Sequence, residues 1–232
     1  MKTTIIAEAG LNHDGNILKA KKLINVAKNA KADFVKFQLY STEEFLNTNL
    51  NLKYKKTADK FRKREFSIHE WKKLIKYSKN IGIKLFFSVF DVHSLNKLKK
   101  FRIKIVKIPS GEITNYKLLA EVSKLKFKVI ISTGMATLSE IKTAVRYLKG
   151  CEVIILHCIS EYPTLRSELY NINYLKKKFP RNKVGFSDHS KNIFWPAASV
   201  YHGASYVEKH FTLSNKVSIG DHHMSLEPNE LK

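Results

Sequence analysis

Cysteine is nearly absent from this chain of 232 residues: Cys151 and Cys158 are the only two. They flank one apolar run an odd number of positions apart, which sets them on opposite faces of a strand. A disulfide between them is therefore not expected, and reduced thiols point to a cytoplasmic location. No apolar run is both long and uncharged enough to cross a bilayer. The opening MKTTIIAEAG has too short an apolar stretch for a secretory signal, and Glu8 interrupts it. No glycine-rich phosphate loop follows the first strand candidate, since AEAGLNHDG does not have that pattern. This counts against an open doubly wound sheet.

Acidic residues are also few, 20 against 42 Lys and Arg, for a formal charge of +22. A basic balance of this size raises nucleic acid or an anionic small substrate as partners. The lysines, however, are spread over the polar faces of helix-like segments such as KAKKLINVAKNAK and WKKLIKYSKN. No basic stripe with interleaved aromatics is present, so nucleic-acid binding is not expected. The general positive field would still draw in a phosphorylated substrate. The abundance of Lys, Asn and Ile is what a compositionally biased genome produces.

What the chain does have is alternation. Eight apolar runs read as strands: TTIIAEA, FVKFQ, KLFFSVF, IVKIPS, KVIIST, EVIILHC, VGFSDH and YVEKH. Their Val, Ile and Phe content is that of buried parallel strands. Seven amphipathic helix candidates fit between them. Two open with capping boxes, Ser67 to Glu70 and Thr137 to Glu140. Eight strands alternating with helices predict a (β/α)8 TIM barrel occupying residues 1–232 as a single domain. The stretch from Ser41 to Glu65 exceeds an ordinary βα loop and would lie over the catalytic rim, either as a lid or as a solvated insertion.

In such a barrel the C-terminal strand ends carry the chemistry. His189 and His210 close consecutive strand candidates. Adjacent strands run roughly 5 Å apart, so two imidazoles there could share one metal ion. Lys36 and Lys107 sit inside otherwise apolar strands, where an unpaired cation is costly. They need a bound anion or a partner such as Glu8 or Glu112. Hydroxyls of Ser88, Ser110, Ser132 and Ser187 would surround them, a set suited to a small polyanion bearing phosphate and carboxylate.

The motifs IIAEAGLNHDG, DFVKFQ, VKIPSGEITN, VIISTGM, LHCISEYPT, GFSDHS and VEKHFT, followed by GDHHMSLEP, run in order over nearly the whole chain. Together they resemble the N-acetylneuraminate (sialic acid) synthase family, the NeuB-like synthases. The resemblance implies a TIM barrel that condenses phosphoenolpyruvate with an N-acetylated hexose and releases phosphate. The hexose would be N-acetylmannosamine or a diacetamido-deoxyhexose, and the product a nonulosonic acid. A divalent metal is implied, Mn2+ by preference, with Mg2+ or Co2+ accepted by the same donors. Carried over position by position, His189 and His210 match metal ligands, and Glu8 matches the catalytic glutamate. Lys36, Ser88, Lys107, Ser110, Ser132, Ser160, Tyr162 and Ser187 match phosphoenolpyruvate-binding positions. Gln38, Glu112 and Asp221 match sugar-side positions, and Glu112 and His210 are also counted among the catalytic groups.

The family's small C-terminal antifreeze-like domain, which lends an arginine to the partner subunit's sugar site, has no counterpart here. Pro228 followed by acidic residues reads as the start of an eighth helix left unfinished at Lys232. The barrel is thus expected to be incomplete at its C-terminus, with an uncovered apolar face and a tendency to self-associate, as a homodimer or with a partner that supplies the missing part. The alternative to an active synthase is a catalytically incompetent barrel serving as a binding or assembly partner, or as half of a split enzyme.

Overall fold

The computed structural model describes residues 2–45, 52–217 and 220–232. Eight strands, β1 (Thr4–Gly10), β2 (Phe34–Leu39), β3 (Lys84–Val89), β4 (Ile105–Ile108), β5 (Lys128–Ser132), β6 (Glu152–Cys158), β7 (Lys183–Asp188) and β8 (Tyr206–His210), close into one barrel. Every neighbouring pair is parallel, and β1 pairs with β8 to complete the ring. This is the (β/α)8 architecture that the alternation predicts.

The helices are α1 (Ile17–Asn29), α2 (Thr42–Phe45), α3 (Leu52–Arg62), α4 (Ile68–Asn80), α5 (Val92–Lys99), α6 (Tyr116–Lys124), α7 (Leu138–Tyr147), α8 (Tyr170–Lys178), α9 (Phe194–Tyr201) and α10 (Pro228–Leu231). Both capping boxes form: Ser67 caps α4 with Glu70, and Thr137 caps α7 with Glu140. Pro228 occupies the first turn of α10, and a further capping box joins Glu227 and Glu230. Both cysteines are free thiols.

Strand alternation splits the core in two. Ile6, Phe86, Ile130, Ile154, Leu156 and Tyr206 point inward and fill the lower half of the barrel. The residues between them, such as Ala7, Val35, Phe87, Val129 and Val207, point outward and pack under the helices. Two residues further along β1, β3, β5 and β8 the inward positions turn polar, to Glu8, Ser88, Ser132 and Glu208. Register then sets Glu8 beside Lys36 and His210, Ser88 beside Lys107, and Ser187 beside Glu208.

The Ser41–Glu65 stretch is largely helical, carrying α2 and α3, while its residues 46–51 lie outside the described residues. Glu65 ties its end down, accepting from the Thr42 backbone and hydroxyl at 3.0 and 2.9 Å and pairing with Lys97 at 2.7 Å. Gly15, at φ +72°, admits the close approach of this segment: an added Cβ would lie 1.9 Å from the Lys63 carbonyl oxygen.

His13 anchors the same corner from below. Its ring stacks on Phe66 at 4.4 Å and meets the edge of Trp71, and its Nδ1 accepts from the Gly15 amide. Burial lowers its pKa to about 3. Between pH 6.5 and 3 the unfolded chain therefore takes up a proton that the folded chain refuses, so stability is present above about 6.5 and falls as pH drops through that window. His189, lowered to about 4 by burial, acts in the same direction. Glu8, raised to about 7, opposes both between about 4.5 and 7. Urea midpoints taken from neutral to acid pH should decline, and His13→Leu should flatten the decline. An unchanged slope in that variant would remove His13 from the account.

Candidate active site

The inward polar layer forms the floor of a cavity of about 280 Å3 at the C-terminal end of the barrel. Lys36 Nζ lies 2.8 Å from Glu8 Oε2 and 3.4 Å from Glu208 Oε2, and it donates to Ser88 Oγ at 2.6 Å. Lys107 Nζ donates to Glu208 Oε1 at 3.2 Å, and Ser187 Oγ donates to the same oxygen at 2.8 Å. Two cations and two carboxylates thus share one buried site. Glu8 Oε2 and Glu208 Oε2, both buried beside Lys36, have close cations but no donor aligned on them.

The two carboxylates differ. Burial raises Glu8 to about 7, outweighing Lys36. Glu208 is equally buried, yet Lys107 and Lys36 together hold it below the usual carboxylate range. Lys107 is lowered by burial, whereas Lys36, flanked by Glu208 and Glu8, is raised despite burial. The sequence suggested Glu8 or Glu112 as partners for the lysines. Glu8 does pair with Lys36, but the acid that joins both lysines is Glu208.

Above this floor the rings of His189 and His210 approach to 5.5 Å between centroids. His189 Nδ1 lies 2.7 Å from the Ile159 carbonyl, which can only accept, so Nδ1 carries the proton and Nε2 presents a lone pair. The Tyr162 hydroxyl, 3.2 Å away, donates to that lone pair, and its ring stacks on His189 at 4.1 Å. His210 Nδ1 is buried without a hydrogen-bond partner, 3.7 Å from Asp221 Oδ2. Burial lowers both imidazoles, so at neutral pH they are uncharged donors of the kind a divalent cation takes. Among the described residues no three His, Cys, Asp or Glu side chains stand close enough to form a complete ligand set. The residues therefore fit a divalent ion as two imidazole donors, its remaining positions falling to oxygens of substrate or water.

Of the residues singled out from the sequence, Glu8, Lys36, Gln38, Ser88, Lys107, Ser110, Ser132, Tyr162, His189, His210 and Asp221 line this one cavity. Three do not. Ser187 stands behind Glu208 and holds it. Ser160 faces an adjoining pocket, next to the point where Gly134 lets hydroxyl and thiol groups meet: a Cβ on Gly134 would fall 2.1 Å from Ser160 Oγ and 3.0 Å from Ser110 Oγ. Glu112 accepts from Asn115 Nδ2 at 2.8 Å in the 3-10 turn Ser110–Glu112, away from the lining.

Sequence reasoning did not assign Glu208 to the site. It also missed Tyr40, Phe61 and Arg64, which form the cavity wall beside the α2–α3 segment. Arg64 is held there by Asp14 at 3.5 Å.

The profile of the NeuB family matches residues 23–232. The chain belongs to the NeuB family. An N,N'-diacetyllegionaminic acid synthase of Campylobacter jejuni is 42% identical over 247 residues, taking in all of this chain and 74% of that protein. An N-acetylneuraminate-9-phosphate synthase of Drosophila melanogaster is 34% identical over 241 residues, covering 98% of this chain and 65% of that protein. In structure, the N-acetylneuraminic acid (sialic acid) synthetase of Leptospira borgpetersenii superposes with a TM-score of 0.93 at 39% identity, over 100% of this chain and 80% of that one. NeuB membership thus rests on sequence along nearly the whole chain, and the fold agrees with it.

Proposed function

We propose that this NeuB-family barrel condenses phosphoenolpyruvate with an N-acetylated hexose, N-acetylmannosamine or a diacetamido-deoxyhexose, to give a nonulosonic acid and phosphate. The observation that carries the proposal is the pair of buried lysines, Lys36 and Lys107, set beneath two neutral imidazoles in one cavity. An anion of phosphoenolpyruvate's size and charge would bring negative charge to both lysines, which in its absence share Glu208, with Glu8 also on Lys36, and Ser88, Ser110 and Ser132 supply hydroxyls around it. Gln38 and Asp221, which line the same cavity, suit the hydroxyls and acylamino group of the sugar.

In this reading C3 of phosphoenolpyruvate bonds to the aldehyde carbon of the open-chain sugar, and water adds at the pyruvyl C2. The carbon–oxygen bond to phosphate then breaks. Glu8, ionised above about pH 7, accepts one proton of that water, which ends on the alkoxide oxygen formed from the aldehyde. The water's second proton leaves with the phosphate as the pyruvyl C2 becomes a ketone. Lys36 and Lys107 hold the charge of the departing phosphate. A divalent ion, which the family resemblance implies, would be held by His189 and His210 and would polarise the sugar carbonyl. Residues 1–232 are read as one synthase barrel, and a cytoplasmic setting accords with free thiols and with the absence of any membrane-crossing helix among the described residues.

Lys209 is a positioning residue in this scheme. It lies outside the barrel interior, buried, with Nζ 2.6 Å from Asp188 Oδ2 and 2.6 Å from the Ser190 carbonyl. It thereby clamps the residues on either side of His189 to the strand that ends in His210. Lys209→Met should weaken Mn2+ binding by about 10–100-fold while phosphoenolpyruvate affinity changes little. Equal losses for both ligands would mark a general structural role instead.

The deciding experiment is phosphate release from phosphoenolpyruvate with Mn2+, across a panel of N-acetylated hexoses and with a chelator control. Sugar-dependent, chelator-sensitive release is expected. No release with any sugar, from folded protein, would overturn the proposal.

A further inference from the structure

Asp14 stands between two parts of the cavity rim without lining the cavity itself. It lies in the turn after β1, with φ +51°. Asp and Asn adopt that left-handed backbone more readily than other residues that bear a Cβ. Three basic side chains converge on its carboxylate. Lys19 Nζ donates to Oδ2 at 3.0 Å. Arg64 Nη2 lies 3.5 Å from Oδ1, and His222 Nε2 lies 3.3 Å from the same oxygen. Lys19 is about half exposed, whereas the side chains of Arg64 and His222 are mostly buried.

Both buried partners lead to the cavity. Arg64 follows α3 and lines the cavity wall. Among the described residues Asp14 is its ion-pair partner. Its guanidinium also rests against Gly220, where an added Cβ would fall 3.6 Å from Nη1. His222 belongs to the 3-10 turn Gly220–Met224. Asp221 in that turn lines the cavity, 3.7 Å from His210 Nδ1. The other ring nitrogen of His222, Nδ1, lies 2.6 Å from Thr212 Oγ1, just past the end of β8. Asp14 therefore joins three stretches that are distant in the chain: the β1–α1 turn, the α3–α4 connection and the turn after β8.

The two cavity groups so joined are chemically complementary. A guanidinium offers only donors, and a carboxylate offers acceptors. The hydroxyls and acylamino groups of a sugar need both, and here both stand on one wall. We infer that Asp14 is a positioning residue for the sugar half of the cavity. It fixes Arg64 directly and Asp221 through His222, so that the two form one preset clamp on the N-acetylated hexose. The inference rests on the proposed reaction for the identity of the ligand. It goes beyond that reaction in assigning Arg64 to sugar recognition and Asp14 to its placement. Lys36 and Lys107 are held by Glu8 and Glu208 instead, so phosphoenolpyruvate binding should not depend on Asp14.

The test compares KM for the sugar with the dissociation constant of phosphoenolpyruvate, both on the full chain. Asp14→Asn keeps a residue that tolerates the left-handed backbone and removes its charge. It should raise sugar KM by about 10–100-fold, the effect of losing a hydrogen bond to a charged group, with phosphoenolpyruvate binding unchanged. Arg64→Met should raise sugar KM in the same way. The double variant should fall well short of the product of the two single effects, because both remove one contact. Lys19→Met, which removes only the more exposed partner, should leave sugar KM as it is. Trypsin gives a readout that needs no turnover: cleavage after Arg62, Lys63 and Arg64 should be faster in Asp14→Asn, with the rest of the chain cut at the parent's rate. A parent that releases no phosphate with any sugar would overturn the proposed reaction alone, and the cleavage rates would then decide the role of Asp14. An unchanged sugar KM in Asp14→Asn, equal losses for sugar and phosphoenolpyruvate, independent effects in the double variant, a loss equalled by Lys19→Met, or an unchanged cleavage rate would each overturn the assignment.

Discussion

Glu8→Gln is expected to reduce sugar-dependent phosphate release by about 10²–10⁴-fold while leaving Mn2+ binding in place. The substitution keeps the volume of the side chain and removes only its ability to take a proton. Glu8 sits on β1 between Lys36 and His210 in register, with one carboxylate oxygen buried 2.8 Å from Lys36 Nζ and lacking an aligned donor. Burial raises its pKa to about 7, so near neutrality it can accept a proton and later return it. The parent protein's kcat/KM should therefore rise through about pH 7 as Glu8 ionises, and the variant's residual rate should lose that rise. Lys36 keeps Glu208 as a counterion in the variant, so fold and phosphoenolpyruvate binding should survive. Turnover close to the parent's would remove Glu8 from the chemistry.

Glu208→Leu is expected to destabilise the fold by about 3–5 kcal/mol. Glu208 is the common partner of Lys36 and Lys107 and the acceptor of Ser187, and all four groups are buried. Among the described residues, removing it leaves Lys107 with no ion-pair partner and Lys36 with Glu8 alone. Desolvation then has no compensation at one lysine and half of it at the other. Lys107→Met should cost less, because Glu208 retains both Lys36 and Ser187. Added phosphoenolpyruvate should restore part of what Glu208→Leu loses, since the ligand returns negative charge to the same place. Urea unfolding of the parent and the two variants, with and without phosphoenolpyruvate, measures all of this. A loss below about 1 kcal/mol in Glu208→Leu would show that the lysines find other partners.

The same pair of acids shows why the site was only partly legible. Glu8, Lys36, Lys107, His189 and His210 stand out in the sequence because each interrupts or ends an apolar run. Glu208 does so too, in YVEKH, but sequence alone does not say which of three consecutive polar residues faces inward. The barrel does: Glu208 and His210 point inward, and Lys209 between them points outward to Asp188. Glu112 illustrates the opposite case. Its motif is recognisable, yet a 3-10 turn carries its side chain to Asn115 and away from the cavity lining.

Strand and helix identity follows from local rules that a sequence displays. Apolar runs of strand length, helical periodicity, the Ser67 and Thr137 capping boxes and the proline opening α10 all act over a few residues, and all appear where the pattern sets them. Which groups share the cavity is a long-range matter. Tyr40, Phe61 and Arg64 reach it because Gly15 admits the Lys63 carbonyl and Glu65 pins the segment to Thr42 and Lys97. Those contacts join residues far apart in the chain, and no periodicity encodes them. Helix α9 is of the same kind: its apolar character is written in the sequence, but only the closed barrel decides that Phe194 and Tyr201 stand exposed.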